Sequence, residues 1–309
     1  MRRGAALAAA AVLLCCLTFC GCDERSDYLE PENKLIISAL GVDSGKKEIT
    51  LTAEAVTVSE NGNSDGHERE VLCGKGGNMR KAFSSLKNGI SKRITLSHCA
   101  VILLGDTVCP DDFEDVLVFC FSEQDLTGNV QLAAAKSAEE ILKTNVGDNL
   151  LGYSISAMFL KNRDLPSSGA GCTIVDAVNF AAESPYLVPL PLLGTNDNKE
   201  GEVFFRGIRY YKNRRSLYTA SLAQSQLIRL ANGDFHHGEL TVDNEALGVL
   251  NVRKSGGKIY IYVRERLSQK SIKEYENQIS EELSEVQKEL PSAIDCDSNI
   301  KVYIRSGAQ

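Results

Sequence analysis

Apolar and polar positions alternate in two short runs near the start of the chain, Leu35 to Val42 and Glu48 to Val58, separated by Asp43-Ser44-Gly45. The first run reads as a buried strand. The second places Ile49, Leu51, Ala53 and Ala55 on one face, so the pair predicts a hairpin. After a polar loop at Asn61-Gly62-Asn63-Ser64-Asp65-Gly66, a short strand ends at Cys73. The period then changes. Met79, Phe83, Leu86 and Ile90 recur at helical spacing, Ile94 to Leu104 is apolar enough for one central strand, and Pro110 opens a helix carrying Phe113, Leu117 and Cys120. Beyond a turn at Gly128-Asn129, a further strand is expected from Val130 to Ala135.

Ser137 and Glu140 have the spacing of a capping box ahead of Ile141 and Leu142. Leu151, Ile155, Met158 and Phe159 give the next helix its apolar face, and Thr173 to Ala182 supplies another before Pro185, Pro189 and Pro191 interrupt the pattern. The polar stretch Gly194 to Gly201 is the expected linker. Past it come a strand from Val203 to Tyr211, a mixed segment from Ser216 to Gly233, and two strands, Ala246 to Arg253 and Lys258 to Arg264, joined by Ser255-Gly256-Gly257. Ile272, Tyr275, Ile279, Leu283, Val286 and Leu290 then step along a helix, with Ser271 and Glu274 as its capping box and Pro291 as its end. Ile300, Val302 and Ile304 alternate as a last strand. Together these predict an α+β chain of mixed sheets flanked by helices, in two or more domains: residues 22–195 as an N-terminal unit and residues 196–309 as a C-terminal region.

The N-terminus changes the picture. Arg2 and Arg3 precede an uncharged, mostly apolar stretch from Gly4 to Phe19, shorter than the ~20 residues that span a bilayer and followed by Cys20-Gly21-Cys22. Residues 1–21 therefore read as a signal peptide and Cys22 as the site of lipid attachment. Small Gly21 suits a narrow peptidase site, whereas Cys20 follows bulky Phe19. A signal peptide cut elsewhere and an uncleaved anchor are the competing readings. Cleavage before Cys22 leaves 288 residues with a formal charge near -9, against -7 for the whole chain. Such a balance, without a basic tract, argues against nucleic-acid binding.

Six cysteines remain after the leader: Cys73, Cys99, Cys109, Cys120, Cys172 and Cys296, with no CxxC pair. Free thiols buried as small hydrophobes are expected. The four histidines make a poor reaction centre. His236 and His237 are adjacent, so in a strand they point to opposite faces, and a solvated loop is the better reading. His98 falls in the expected central strand as a structural histidine, beside Cys99, which cannot pair with it there. His67 has no partner in the pattern. Gly74-Lys75-Gly76-Gly77 before a helix could cradle a phosphate with Lys75 or Arg80, yet it completes no nucleotide motif and reads as a glycine-rich turn. Asp111, Asp112, Glu114 and Asp115 read as a solvated helix start. No catalytic residue, cofactor site or metal site is predicted.

The order of these segments resembles the Ger(x)C lipoproteins, the C subunits of spore germinant receptors. The likeness runs through Gly21-Cys22-Asp23, Ala39-Leu40-Gly41-Val42-Asp43, the segment Ser97 to Asp106, Ser137 to Leu142, and Val203 to Gly207. Asp23 stands where the family commonly has tryptophan, and the C-terminal part is shorter than usual. The resemblance implies a non-enzymatic subunit, lipid-anchored on the outer face of the spore inner membrane and working beside multi-spanning membrane subunits. A lipid-anchored solute-binding protein is the second reading, and a hydrolase the third.

Overall fold

The computed structural model describes residues 34–58, 67–144, 149–161, 171–182, 187–195, 202–233, 235–243, 245–255, 257–289 and 301–306. The leader, Cys22, Cys296 and most of the expected linker lie outside them. The expected hairpin forms as β1 (Lys34–Ser44) and β2 (Ile49–Val58), antiparallel, with β3 (His67–Gly76) added along β2. Between Ile37 and Ala39 the register of β1 shifts, making Ser38 the extra residue of a bulge. Leu35 and Ile37 before it and Leu40 and Val42 after it thereby join one core.

The apolar run Ile94 to Leu104 is not one strand. It forms β4 (Arg93–Thr95) and β5 (Val101–Leu104), both parallel to β1, with a turn between them that exposes Ser97 and His98. The polar triplet Thr95, Ser97, His98 could not be buried without partners, and the chain turns there instead. Next come β6 (Gln131–Ala135), the two-residue β7 (Cys172–Thr173), β8 (Val188–Thr195), β9 (Val203–Lys212) and β10 (Arg215–Ser221). They complete a mixed sheet ordered β10-β9-β8-β6-β5-β1-β2-β3, in which β1, β5, β6 and β8 run parallel.

Pro189 and Pro191 do not break the chain; they lie in β8. That strand pairs with β6 only at Leu192 and Leu193, so the prolines upstream need no donor on that side. The expected boundary at 195 and 196 falls between β8 and β9, which are hydrogen-bonded neighbours in this sheet.

Helices cover both faces of the sheet. On one lie α1 (Met79–Lys87), α2 (Pro110–Ser122) and α5 (Ile174–Ala182), burying Met79, Phe83, Phe113, Val116, Phe119 and Ala177 against Leu35, Ile37, Leu51 and Ile102. On the other lie α3 (Ala138–Lys143) and α4 (Leu151–Lys161), where Ile141, Leu142, Leu151 and Ile155 meet Ala39, Val101, Leu103 and Ala133. Full burial of each such side chain contributes roughly 1.5–3 kcal/mol, which outweighs the weak intrinsic preference of the six-residue α3.

A second, four-stranded sheet holds β11 (Gly238–Val242), β12 (Glu245–Ser255), β13 (Lys258–Val263) and β14 (Lys301–Ser306), the last pair parallel. Its core is shared with α6 (Leu222–Asn232), α7 (Gln269–Glu289) and Ile208, Tyr210 and Ala220 of the first sheet. A capping box of Ser221 and Gln224 opens α6, and Gly233 in the left-handed region (φ 85°) closes it. Helix α7 starts two residues before the expected box: Ser268, not Ser271, accepts the first amide, from Ser271 at 3.1 Å. The chain is thus α+β, with two mixed sheets.

Candidate functional site

Two acidic residues on the neighbouring strands β1 and β2 organise one face of the large sheet. Asp43, at the end of β1, accepts the backbone amides of Ala138 at 3.1 Å and Glu139 at 2.8 Å, the first residues of α3. Ser137 adds its hydroxyl to the Glu140 amide at 3.2 Å. One half of the expected capping box is therefore present, the bond from Glu140 N to Ser137, and a strand carboxylate reinforces it. Burial raises the Asp43 carboxyl above its ordinary value, outweighing the two amide bonds that lower it.

Glu54 does the same for α4. Its side chain is wholly buried, and it accepts Leu151 N and Gly152 N at 2.8 Å each, the Ser38 hydroxyl at 2.5 Å and Arg69 Nε at 2.6 Å. Both carboxylate oxygens are filled. Arg69 continues to the Leu142 carbonyl at 2.5 Å, so one ion pair links β2, β3 and both helices. A Cβ on residue 152 would collide with the Ser38 carbonyl, so glycine is what allows α4 this close to the bulge.

The third junction joins the loop after β5 and the end of β6 to β9. Buried Arg209 pairs with Asp106 and donates to the Ala135 carbonyl at 3.3 Å and the Thr219 hydroxyl at 3.3 Å. Gly105, just before Asp106, packs against Asp43, and a Cβ there would strike the carboxylate. Asp43, Gly105, Asp106 and Ser137 thus converge at the carboxyl ends of the parallel strands, where open α/β sheets usually leave their crevice. Here the side chains are taken, Asp43 by the α3 amides, Asp106 by Arg209 and Ser137 by the Glu140 amide.

The glycine-rich segment ahead of α1 is not a turn. Gly74, Lys75 and Gly76 finish β3, paired to Leu51, Thr50 and Ile49, and the glycines lie against the backbone of α1. The α1 amides that might have met a phosphate are taken: Asn78 accepts from Lys81 N at 2.9 Å, and Asp115 from Met79 N at 2.5 Å. At the acidic start of α2, Asp111 and Glu114 are exposed, as expected, while Asp112 and Asp115 are half-buried. Asp112 accepts from Ser44 Oγ at 2.5 Å and Glu114 pairs with Arg214 at 2.6 Å.

His98 is exposed in the turn before β5, while Cys99 is buried beneath it. His236 and His237 are exposed in the loop before β11, as the sequence suggested. His67 begins β3, and its side chain lies outside the described residues. Cys99, Cys120 and Cys172 are buried free thiols, whereas Cys73 and Cys109 are exposed. Burial pushes the Cys99 thiol up to about 12. Among the described residues, no group of three or more histidine, cysteine or acidic side chains could hold a metal ion.

Sequence reasoning missed Glu54, Arg69 and Arg209. A glutamate in an alternating strand reads as solvent-facing, and only the return of α4, nearly a hundred residues later, buries it. The one signal was its setting among Ala53, Ala55, Ser38 and Ala39, small residues that leave room for a close helix.

The geometry first defines a class: an α+β protein whose sheet-facing helix ends are closed by its own carboxylates. Residues 27–189, more than half of the chain, match the family model described as the spore germination protein N-terminal domain. The chain belongs to that family, the Ger(x)C spore germination proteins. No curated protein and no solved structure matches it. The matched span covers Asp43, Glu54, Arg69 and Asp106 but stops short of Arg209.

Proposed function

We propose that this chain is the lipid-anchored, non-enzymatic subunit of a nutrient germinant receptor, attached through Cys22 to the outer face of the spore inner membrane and working beside multi-spanning membrane subunits. The single observation that carries the reading is the family match over residues 27–189. The leader and Cys22 in the sequence agree with it.

The side chains suit such a role. Asp43, Glu54 and Asp115 each close a helix start within the body, which favours fixed surfaces over a reaction centre. In this reading the subunit works by presenting those surfaces to membrane partners, and the tether raises their effective concentration so that weak contacts suffice. The test is co-purification. Tagged chain extracted from spore membranes with mild detergent is expected to bring multi-spanning proteins with it, and Cys22→Ala is expected to reduce their yield. A wild-type chain recovered alone, but stabilised against heat by a nutrient, would point instead to a solute-binding protein.

A further inference from the structure

Three surface hollows run into one another on the side of the molecule where β1 begins. The first is lined by Lys34, Arg93 and Asp125, the second by Arg93, Asp125, Lys87, Lys92 and Ser122, and the third by Ser122, Phe121 and Val118. Shared residues make the strip continuous. Lys34 and Arg93 are register partners at the start of β1 and β4. Phe121 and Val118, on the outer side of α2, are 58% and 56% exposed, the largest exposures among the apolar residues of that helix.

The charge of this strip runs against that of the chain. The whole protein carries -7. Lys34, Lys87, Lys92 and Arg93 line the first two hollows with Glu123 and Asp125, Asp125 also accepts from Thr95, and the third hollow adds the Glu114–Arg214 ion pair. Among the described residues none of the four cations is in an ion pair, although Lys87 lies 4.1 Å from the centre of the Phe83 ring. Cations without ion pairs, in hollows that continue to an exposed aromatic ring, are the chemistry of an interfacial membrane contact, with apolar groups entering the headgroup region and cations meeting lipid phosphates.

We propose that this strip, from Lys34 through Lys87, Lys92 and Arg93 to Phe121 and Val118, docks on an anionic membrane surface. The proposal rests on the membrane tether described above and adds the face that the tether brings down. Eleven residues separate Cys22 from Lys34. They reach at most about 40 Å when extended, whereas a folded chain of this size is roughly 50 Å across. The tether therefore holds the end of the molecule that carries Lys34 within about 40 Å of the bilayer.

The chain contains no tryptophan, so a single substitution gives a clean reporter. Full-length lipidated Phe121→Trp is reconstituted into vesicles of brominated phosphatidylcholine, with or without phosphatidylglycerol, and Leu250→Trp, exposed on β12, serves as the control. Strong quenching of Phe121→Trp on the anionic vesicles is expected, with little on neutral ones and little for Leu250→Trp on either. Each basic residue near an anionic surface strengthens adsorption about fivefold, so Lys87→Gln, Lys92→Gln and Arg93→Gln together lower the docked-to-undocked ratio about a hundredfold.

Co-sedimentation with the vesicles reports the tether separately. A chain that co-sediments while Phe121→Trp stays unquenched overturns this proposal alone. A chain that fails to co-sediment overturns the tether and the docking together. Blue-shifted emission without vesicles that reddens when Asp27, Glu30 and Glu32 are neutralised would show that the chain's own acidic segment covers the strip, and that result also overturns the proposal.

Discussion

Glu54 Oε1 accepts a 2.8 Å hydrogen bond from the backbone amide of Leu151, so a carboxylate on the second strand closes the start of a helix that follows it nearly a hundred residues later. The same carboxylate holds Arg69, and both its oxygens are satisfied inside a fully buried site. Long-range caps of this kind fix helices to the sheet more firmly than their sequences would.

Removing the Glu54 carboxylate leaves Arg69 and two helix amides without their partner. Breaking one side of a buried pair costs about 3–5 kcal/mol. Glu54→Ala is expected to lower the urea-denaturation free energy by that much, and a loss below about 1 kcal/mol would contradict the role assigned to it.

Asp43 carries a pH signature. Its folded carboxyl binds protons more readily than the ordinary value of 3.8, because burial disfavours the charge. The folded state therefore holds more protons than the unfolded chain in the window above 3.8, and this group's contribution to stability falls as pH rises through its raised value. Measured against Asp43→Asn, which does not titrate, the parent chain should lose relative stability on going from about pH 4 to neutral. A relative gain over that range would show that the amide hydrogen bonds dominate instead.

Arg209 and Asp106 are expected to be coupled. In a double-mutant cycle of Arg209→Met and Asp106→Asn, an interaction of about 1–3 kcal/mol is predicted, because the pair also anchors Arg209 under the Ala135 carbonyl. Additive effects would mean that β9 is held to the rest of the sheet by its backbone pairing alone.

The thiols should separate into two groups. Cys73 and Cys109 are exposed, while Cys99, Cys120 and Cys172 are buried and their thiols are pushed upward by loss of solvent. At about pH 8 a thiol reagent is expected to label Cys73 and Cys109 in the folded protein and the buried three only after denaturant. Peptide mapping decides it, and rapid labelling of Cys99 in the native chain would contradict the packing between β1 and α2.

Much of the fold was legible because periodicity reports burial. Ile49, Leu51, Ala53 and Ala55 marked β2, and Ile272, Ile279, Leu283 and Val286 marked α7. What periodicity cannot report is which far segment returns to cover a face. Thr52 and Glu54 looked like the wet side of β2, yet α3 and α4 bury them. Pro189 and Pro191 looked like breakers, and only the short pairing of β6 with β8 makes them tolerable in a strand. Asp43, Asp106 and Ser137 were visible as parts of a family pattern, but their convergence at the strand ends was not, because it depends on the parallel order of β1, β5 and β6. Arg209 gave no signal at all beyond being one charge between Ile208 and Tyr210.

A germinant-receptor subunit shows its role in the nutrient response of whole spores. In a strain without redundant receptors, spores of the parent, of a deletion of this chain and of Cys22→Ala are scored across a panel of nutrients and under one stimulus that bypasses nutrient receptors. Deletion is expected to abolish the response to at least one nutrient, Cys22→Ala to weaken it, and all three strains to germinate alike under the bypass stimulus. Equal responses of deletion and parent spores to every nutrient would contradict that role.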